Sequence, residues 1–267
     1  MLIQEKIIDI VKNKCSHDDS ISACMMYGSF TKGQGDQYSD VEFYIFIAND
    51  VVDRFDTRRW ISEVYPVDLI FYNEYRTEVA IFSNMIRGEF HFLPDSEMEI
   101  IKSFKQTGVF PDIESMYIYD STERLMPLLV GLSGSGPNRM TDENVNFSFN
   151  NFVNAWLMGV NVMKRGELAR SLEGLIHVQK YILQLIRIRE KNVEHWLNST
   201  KNLEADISPD SYKDYVSITS KLDKNELNHA YMNALKKIEE LYNALNNHYS
   251  IDVDGKFISK LFSYINQ

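Results

Sequence analysis

The sequence predicts an α+β chain, a mixed-strand amino-terminal domain followed by an all-helical carboxy-terminal bundle. Three observations carry the prediction. Short runs rich in aromatic and β-branched residues fill much of the first hundred positions. A stretch dense in glycine, serine and proline, LVGLSGSGPNR at 129–139, then breaks the chain. Beyond it, apolar residues recur at three- and four-residue spacing. The expected domains are residues 1–133 and 140–267, and a cleft between two such domains is a natural ligand site.

The opening segment, MLIQEKIIDIVKNK, spaces Ile3, Ile7, Ile10 and Val11 for an amphipathic helix rather than for a signal peptide. ISACMMYGS (21–29) reads as a buried strand ending in a tight Gly28-Ser29 turn. A polar spacer with Gly33 and Gly35 separates it from DVEFYIFI (40–47), a strong strand pattern. VDLIFY (67–72), TEVAIF (77–82) and GEFHFL (88–93) are further strands, the first two joined by a hairpin at 73–76. In the second half, Phe149, Phe152, Val153, Trp156, Val160 and Met163 define one helical face. Leu168, Leu172, Leu175, Ile182 and Ile186 define a second, and Leu227, Tyr231, Leu235, Ile238, Leu241 and Leu245 a third. No period of roughly 20–50 residues repeats, which excludes a solenoid.

With 44% hydrophobic and 25% charged residues, the composition is that of a globular protein. A net charge of −10 argues against a nonspecific nucleic-acid binder. No apolar run approaches the ~18 residues of a membrane span. Cys15 and Cys24 have neither disulfide-framework nor metal-ligand spacing, so both read as core thiols in a reducing compartment. A cytoplasmic location is expected, in which the Asn198-Ser199-Thr200 sequon meets no glycosylating machinery.

Chemistry concentrates at 27–44, YGSFTKGQGDQYSDVEFY. Strand alternation puts Asp40, Glu42 and Tyr44 on one face and Val41, Phe43 and Ile45 on the other. Two carboxylates roughly 7 Å apart repel each other, and a hard divalent cation reverses that cost. From the pair alone, two solvated acids on an exposed strand edge are the simpler reading. Gly28 allows close backbone approach, Ser29 offers a hydroxyl and nearby amides for phosphate oxygens, and Lys32 adds a cation. Walker, HExxH, CxxC and dinucleotide-binding glycine motifs are all missing, and GLSGSG (131–136) fails the nucleophile-elbow pattern.

Gly-Ser, a polar spacer and then Ser-Asp-x-Glu on a strand resembles the nucleotidyltransferase signature of the polymerase-β superfamily. The Tyr-Ser-Asp-x-Glu wording is similar to the kanamycin nucleotidyltransferases. Over most of its length the chain more closely resembles lincosamide nucleotidyltransferases of the B type. The shared wording is ACMMYGSFTKG, GDQYSD, EFYIF, NEYRTEV, IRGEFHF, PNRMT, NFVNAWLMG and KRGELARSLE. The second metal acid is Glu42 rather than the superfamily's commoner Asp, as in these two families.

The resemblance implies a polymerase-β-like catalytic domain with a mixed sheet and a helical substrate-binding domain. It implies ATP as co-substrate, two Mg²⁺ ions held by Asp40, Glu42 and Glu89, and Gly28, Ser29 and Lys32 around the phosphates. AMP transfer to a lincosamide hydroxyl, the sugar 3-hydroxyl, and a homodimer are implied as well. An aminoglycoside acceptor and a noncatalytic nucleotide-binding module are the competing readings. The attacking hydroxyl needs a general base. The resemblance points to Glu89, while Asp68, between Val67 and Leu69, has the apolar-Asp-apolar pattern by which other small nucleotidyltransferases supply a third acid. His91 shares the Glu89 face. Arg87 and Arg139 suit phosphate or an ion pair equally, and Lys164, Arg165 and Arg170 read as a solvated helix face. Phe147, Phe149, Trp156 and Met158 read as core.

Overall fold

In a computed structural model, which describes residues 1–266, the chain divides into two compact units, Met1–Pro137 and Asn138–Gln267. The first contains a six-stranded mixed sheet and the second is helical, so the α+β expectation holds.

The strands are β1 (Ile21–Tyr27), β2 (Val41–Ile47), β3 (Val67–Tyr72), β4 (Glu78–Phe82), β5 (Arg87–Pro94) and β6 (Tyr117–Asp120), in the order β3-β4-β5-β2-β1-β6. Only β2 and β5 run parallel; the other neighbours are antiparallel. That parallel pair requires a long crossover, and the chain supplies it with α2 (Thr57–Ser62) and the β3–β4 hairpin. Asp56 caps α2 by accepting from Arg59 N.

Alternation along β2 sorts the sheet's two faces. Val41, Phe43 and Ile45 pack with Phe82, Phe90 and Trp60 of α2, and with Ile7, Val11 and Cys15 of α1 (Ile3–Ser16). On the opposite face, Ala23, Met25 and Phe46 pack against Met98 and Ile101 in a run of 3-10 turns (Asp95–Gln106), and against Leu125 and Leu129 of α3 (Leu125–Val130). A register shift between Ile21 and Ala23 puts Ile21 with the first cluster and Ala23 with the second. The 3-10 run, α2, β6 and α3 are elements that the apolar spacing did not reveal.

The helical unit is built on α4 (Asp142–Lys164), α5 (Leu168–Arg189) and α8 (Lys224–Leu245), with α6 (Leu203–Asp206) and α7 (Pro209–Ser217) between α5 and α8 and α9 (Gly255–Ile265) after α8. Thr141 and Asp223 cap the first and third of the long helices through their side-chain oxygens. Glycine makes room for α8 against α4, since a methyl on Gly159 would collide with the Tyr231 hydroxyl, while one on Gly174 of α5 would meet Gly159 Cα of α4 at an ordinary 3.4 Å. Phe149 and Trp156 are core residues as expected. Phe147 and Met158 are not: they are 46% and 42% exposed. Eleven residues apart, they fall on one helical face, and that face lies away from the Phe149–Trp156–Val160 stripe.

A buried arginine organises the connection after α5. Arg187, fully buried, donates to Ser199 O (3.0 Å), Lys201 O (2.7 Å) and Asp206 Oδ (2.9 Å). Asp206 also lies 2.6 Å from His195 Nδ1. Burial raises the Asp206 carboxyl, but bonds from His195 and Arg187 outweigh burial and hold it below the usual range.

Removing the carboxylate would leave a buried guanidinium uncompensated. Asp206→Ala should cost about 3 kcal/mol in urea unfolding. Because the folded pKa is depressed, the carboxylate's stabilisation is present above about pH 4 and lost as pH falls through the folded value. Acid titration of stability should therefore be steeper below about pH 4 for the wild type than for Asp206→Ala.

Candidate active site

The register of the parallel pair builds the site. Glu42 on β2 stands directly beside Glu89 on β5, and Tyr44 beside His91. Antiparallel pairing sets Tyr27, the last residue of β1, against Glu42. Tyr27, Glu42, Tyr44, Glu89 and His91 thus share the face that carries Met25 and Phe46. Asp40 precedes β2 by one residue and joins them through Arg87, whose Nη1 donates to Asp40 and whose Nη2 donates to Glu89.

Gly28 is glycine for two reasons. Its φ is +87°, where a side chain is strained. A Cβ there would lie 1.6 Å from Glu42 Oε2, so the missing methyl is the space the carboxylate occupies. Ser29 then opens a 3-10 turn (Phe30–Lys32), its carbonyl accepting from Lys32 N (3.1 Å) and Gln34 N (3.0 Å), while Thr31 Oγ1 donates to Gly28 O (2.9 Å). Gly28, Ser29 and Glu42 are therefore neighbours, whereas the sequence separates the turn from the acids by a polar spacer.

An aromatic and polar cluster surrounds Glu89. The Tyr27 hydroxyl lies 3.3 Å from Glu89 Oε2 and 2.9 Å from His91 Nε2. A phenol has one proton, so donation to Glu89 leaves its oxygen to accept from His91 Nε2–H. The His91 ring stacks on Tyr44, with centroids 4.2 Å apart and planes 3° from parallel. Burial, then the nearby Glu42 and Glu89 carboxylates, pushes the Tyr27 phenol far up. Tyr44 rises through burial, Glu89 and Glu42. Burial lowers the His91 pKa against the opposing pull of Glu89, which favours the neutral ring. For Arg87, burial works downward, but its bonds to Glu89 and Asp40 prevail and raise it.

The sheet separates the two candidate bases. Glu89 lies against the Asp40 and Glu42 strand. Asp68 is on edge strand β3, two strands from β5, and the registers Phe71–Val79 and Val79–Glu89 place it three residues along from Glu89's row. That is roughly 10 Å across the sheet and 10 Å along it. Three further basic candidates are engaged within the helical unit: Lys164 Nζ donates to Tyr264 O (2.7 Å), Arg170 pairs with Glu167 (3.3 Å), and Arg139 lies over the Trp196 ring.

Asp40, Glu42 and Glu89 form an all-oxygen donor set suited to a hard divalent ion. Among the described residues no three His, Cys, Asp or Glu side chains converge closely enough to hold one as placed. The Arg87 guanidinium instead spans two of the three acids. Donor type and shared face fit such an ion, and Arg87 places a positive charge beside two of the acids. Tyr27 was the member not assigned a site role from the sequence, since only strand pairing brings it to Glu89; Arg87, expected to meet phosphate or an ion pair, forms ion pairs with Asp40 and Glu89.

Residues 141–264 match the family model for the lincosamide nucleotidyltransferase-like C-terminal domain. A comparison with curated proteins finds no match. Among solved structures, the chain is similar to an aminoglycoside 6-adenyltransferase from Bacillus subtilis, at 11% identity and a TM-score of 0.43, covering 98% of this chain and 97% of that one. It is also similar to a nucleotidyltransferase-like protein from Exiguobacterium sibiricum 255-15, at 13% identity and a TM-score of 0.41, covering 92% of this chain and 77% of the other.

Gly28→Ala tests the cradle. The methyl must expel the Glu42 carboxylate and adopt a positive φ, a strain of about 1–3 kcal/mol. Lower thermal stability and a displaced Glu42 in the variant's crystal structure are expected; an unmoved Glu42 would contradict the packing described.

Proposed function

We propose that the protein transfers AMP from ATP to a lincosamide hydroxyl, the sugar 3-hydroxyl, releasing pyrophosphate, a reading supported by the match of residues 141–264 to the lincosamide nucleotidyltransferase-like C-terminal domain. The observation that carries this reading is the in-register pair Glu42–Glu89 with Asp40 at its edge and the Gly28-Ser29 turn against Glu42. In this reading the sheet unit supplies the chemistry and the helical unit recognises the drug.

Each residue then has a physical task. Mg²⁺, when bound at Asp40, Glu42 and Glu89, offsets charge on the triphosphate and on the attacking and leaving oxygens. Ser29 and the backbone after Gly28 receive phosphate oxygens, with Lys32 adding positive charge. The acceptor oxygen forms a bond to the α-phosphorus as the bond to pyrophosphate breaks, and Glu89 takes the hydroxyl proton. Tyr27 orients Glu89 by donating to Oε2.

Incubating the enzyme with clindamycin and ATP should add the mass of one AMP to the drug, and kanamycin should be unchanged. Turnover of kanamycin alone would replace the lincosamide assignment with an aminoglycoside one, and absence of turnover with both would favour a nucleotide-binding module. Asp40→Asn and Glu89→Gln should each lower turnover by about a hundredfold or more, with Asp68→Asn near wild type. Activity undiminished in Asp40→Asn would remove the metal clamp from the mechanism.

A further inference from the structure

The position of Arg87 bears on how an ion reaches these carboxylates. Its two terminal nitrogens donate to different acids, Nη1 to Asp40 Oδ2 and Nη2 to Glu89 Oε1. Those oxygen lone pairs are the ones a divalent ion would use. An arginine does not vacate by losing its proton. The guanidinium must therefore move for an ion to bind both Asp40 and Glu89, and its side chain, 36% exposed, borders solvent.

Resting on the metal-dependent reading above, we propose that Arg87 is a resident counter-cation that a divalent ion has to displace. Bridging Asp40 and Glu89, it relieves their repulsion and keeps them together on one face in the ion-free protein. The same bridge weakens the first ion's binding, because ion entry breaks two charge-assisted hydrogen bonds. The bridge depends on the fork as well as on the charge: a lysine ammonium is a point charge and lacks the paired nitrogens.

Mn²⁺ alone, titrated into the full chain without nucleotide and followed by the electron paramagnetic resonance of free Mn²⁺, tests this directly. Arg87→Gln should bind Mn²⁺ about tenfold more tightly than wild type. Arg87→Lys, which keeps the charge and loses the fork, should also bind more tightly than wild type. In thermal unfolding, Arg87→Gln should be less stable than wild type in EDTA, and the gap should close in saturating Mn²⁺. Unchanged or weaker Mn²⁺ affinity in Arg87→Gln would overturn the proposal, as would Arg87→Lys matching wild type, which would reduce the effect to charge alone. Either result, with binding still lost in Asp40→Asn, leaves the metal-dependent reading standing. Equal Mn²⁺ binding by wild type and Asp40→Asn would overturn both together.

Discussion

Parallel pairing of β2 with β5 is the constraint on which the rest of the candidate site depends. It sets Glu42 beside Glu89 at neighbouring-strand spacing, roughly 5 Å between backbones. Like charges held so close are unfavourable without a cation or hydrogen-bond donors. The protein answers with several devices at once. Gly28 gives up a side chain to make room for one carboxylate. Tyr27 donates toward the other, and Arg87 ties it to Asp40. Apart from the Arg87–Glu89 contact, which lies along β5, these neighbours are set by strand register.

The same register explains the division of labour across the sheet. One face of β2 is wholly apolar and lies under α1 and α2, which fixes the strand's rotation about its own axis. With that face committed to the core, Glu42 and Tyr44 have no choice of side. The opposite face changes character along its length. Met25 and Phe46 are packed under the 3-10 run and α3, while the Tyr27–Glu42–Glu89 end is polar and partly open. A rigid apolar half thus anchors a polar half, and packing together with hydrogen bonds holds the charged side chains in place.

Elements with a strong period were legible in the sequence. The β2 alternation, the α4, α5 and α8 stripes and the Gly28-Ser29 turn all emerge where expected, because each depends on neighbours within one element. Short elements were not: β6 has four residues and α2 and α3 six each, too few for a period to show. Phe147 and Met158 were misplaced for a related reason, since helical spacing identifies a face without saying what covers it. Arg187 illustrates the limit most clearly. Within an apolar helix its charge suggests a surface position, yet it is buried because Asp206 and two loop carbonyls arrive from later in the chain.

By itself, the sequence determined the α+β division, the strand carrying Asp40 and Glu42, and the glycine turn that precedes it. Those follow from local sterics and the two- and 3.6-residue periods, which any stretch of chain carries within itself. Tertiary structure alone decided that Glu89 rather than Asp68 stands beside Glu42, that Gly28 lies under its carboxylate, and that Arg87 reaches Asp40. These are relations between strands distant in sequence. They are set by which strands pair and in what register, and that choice depends on burying all the apolar faces together.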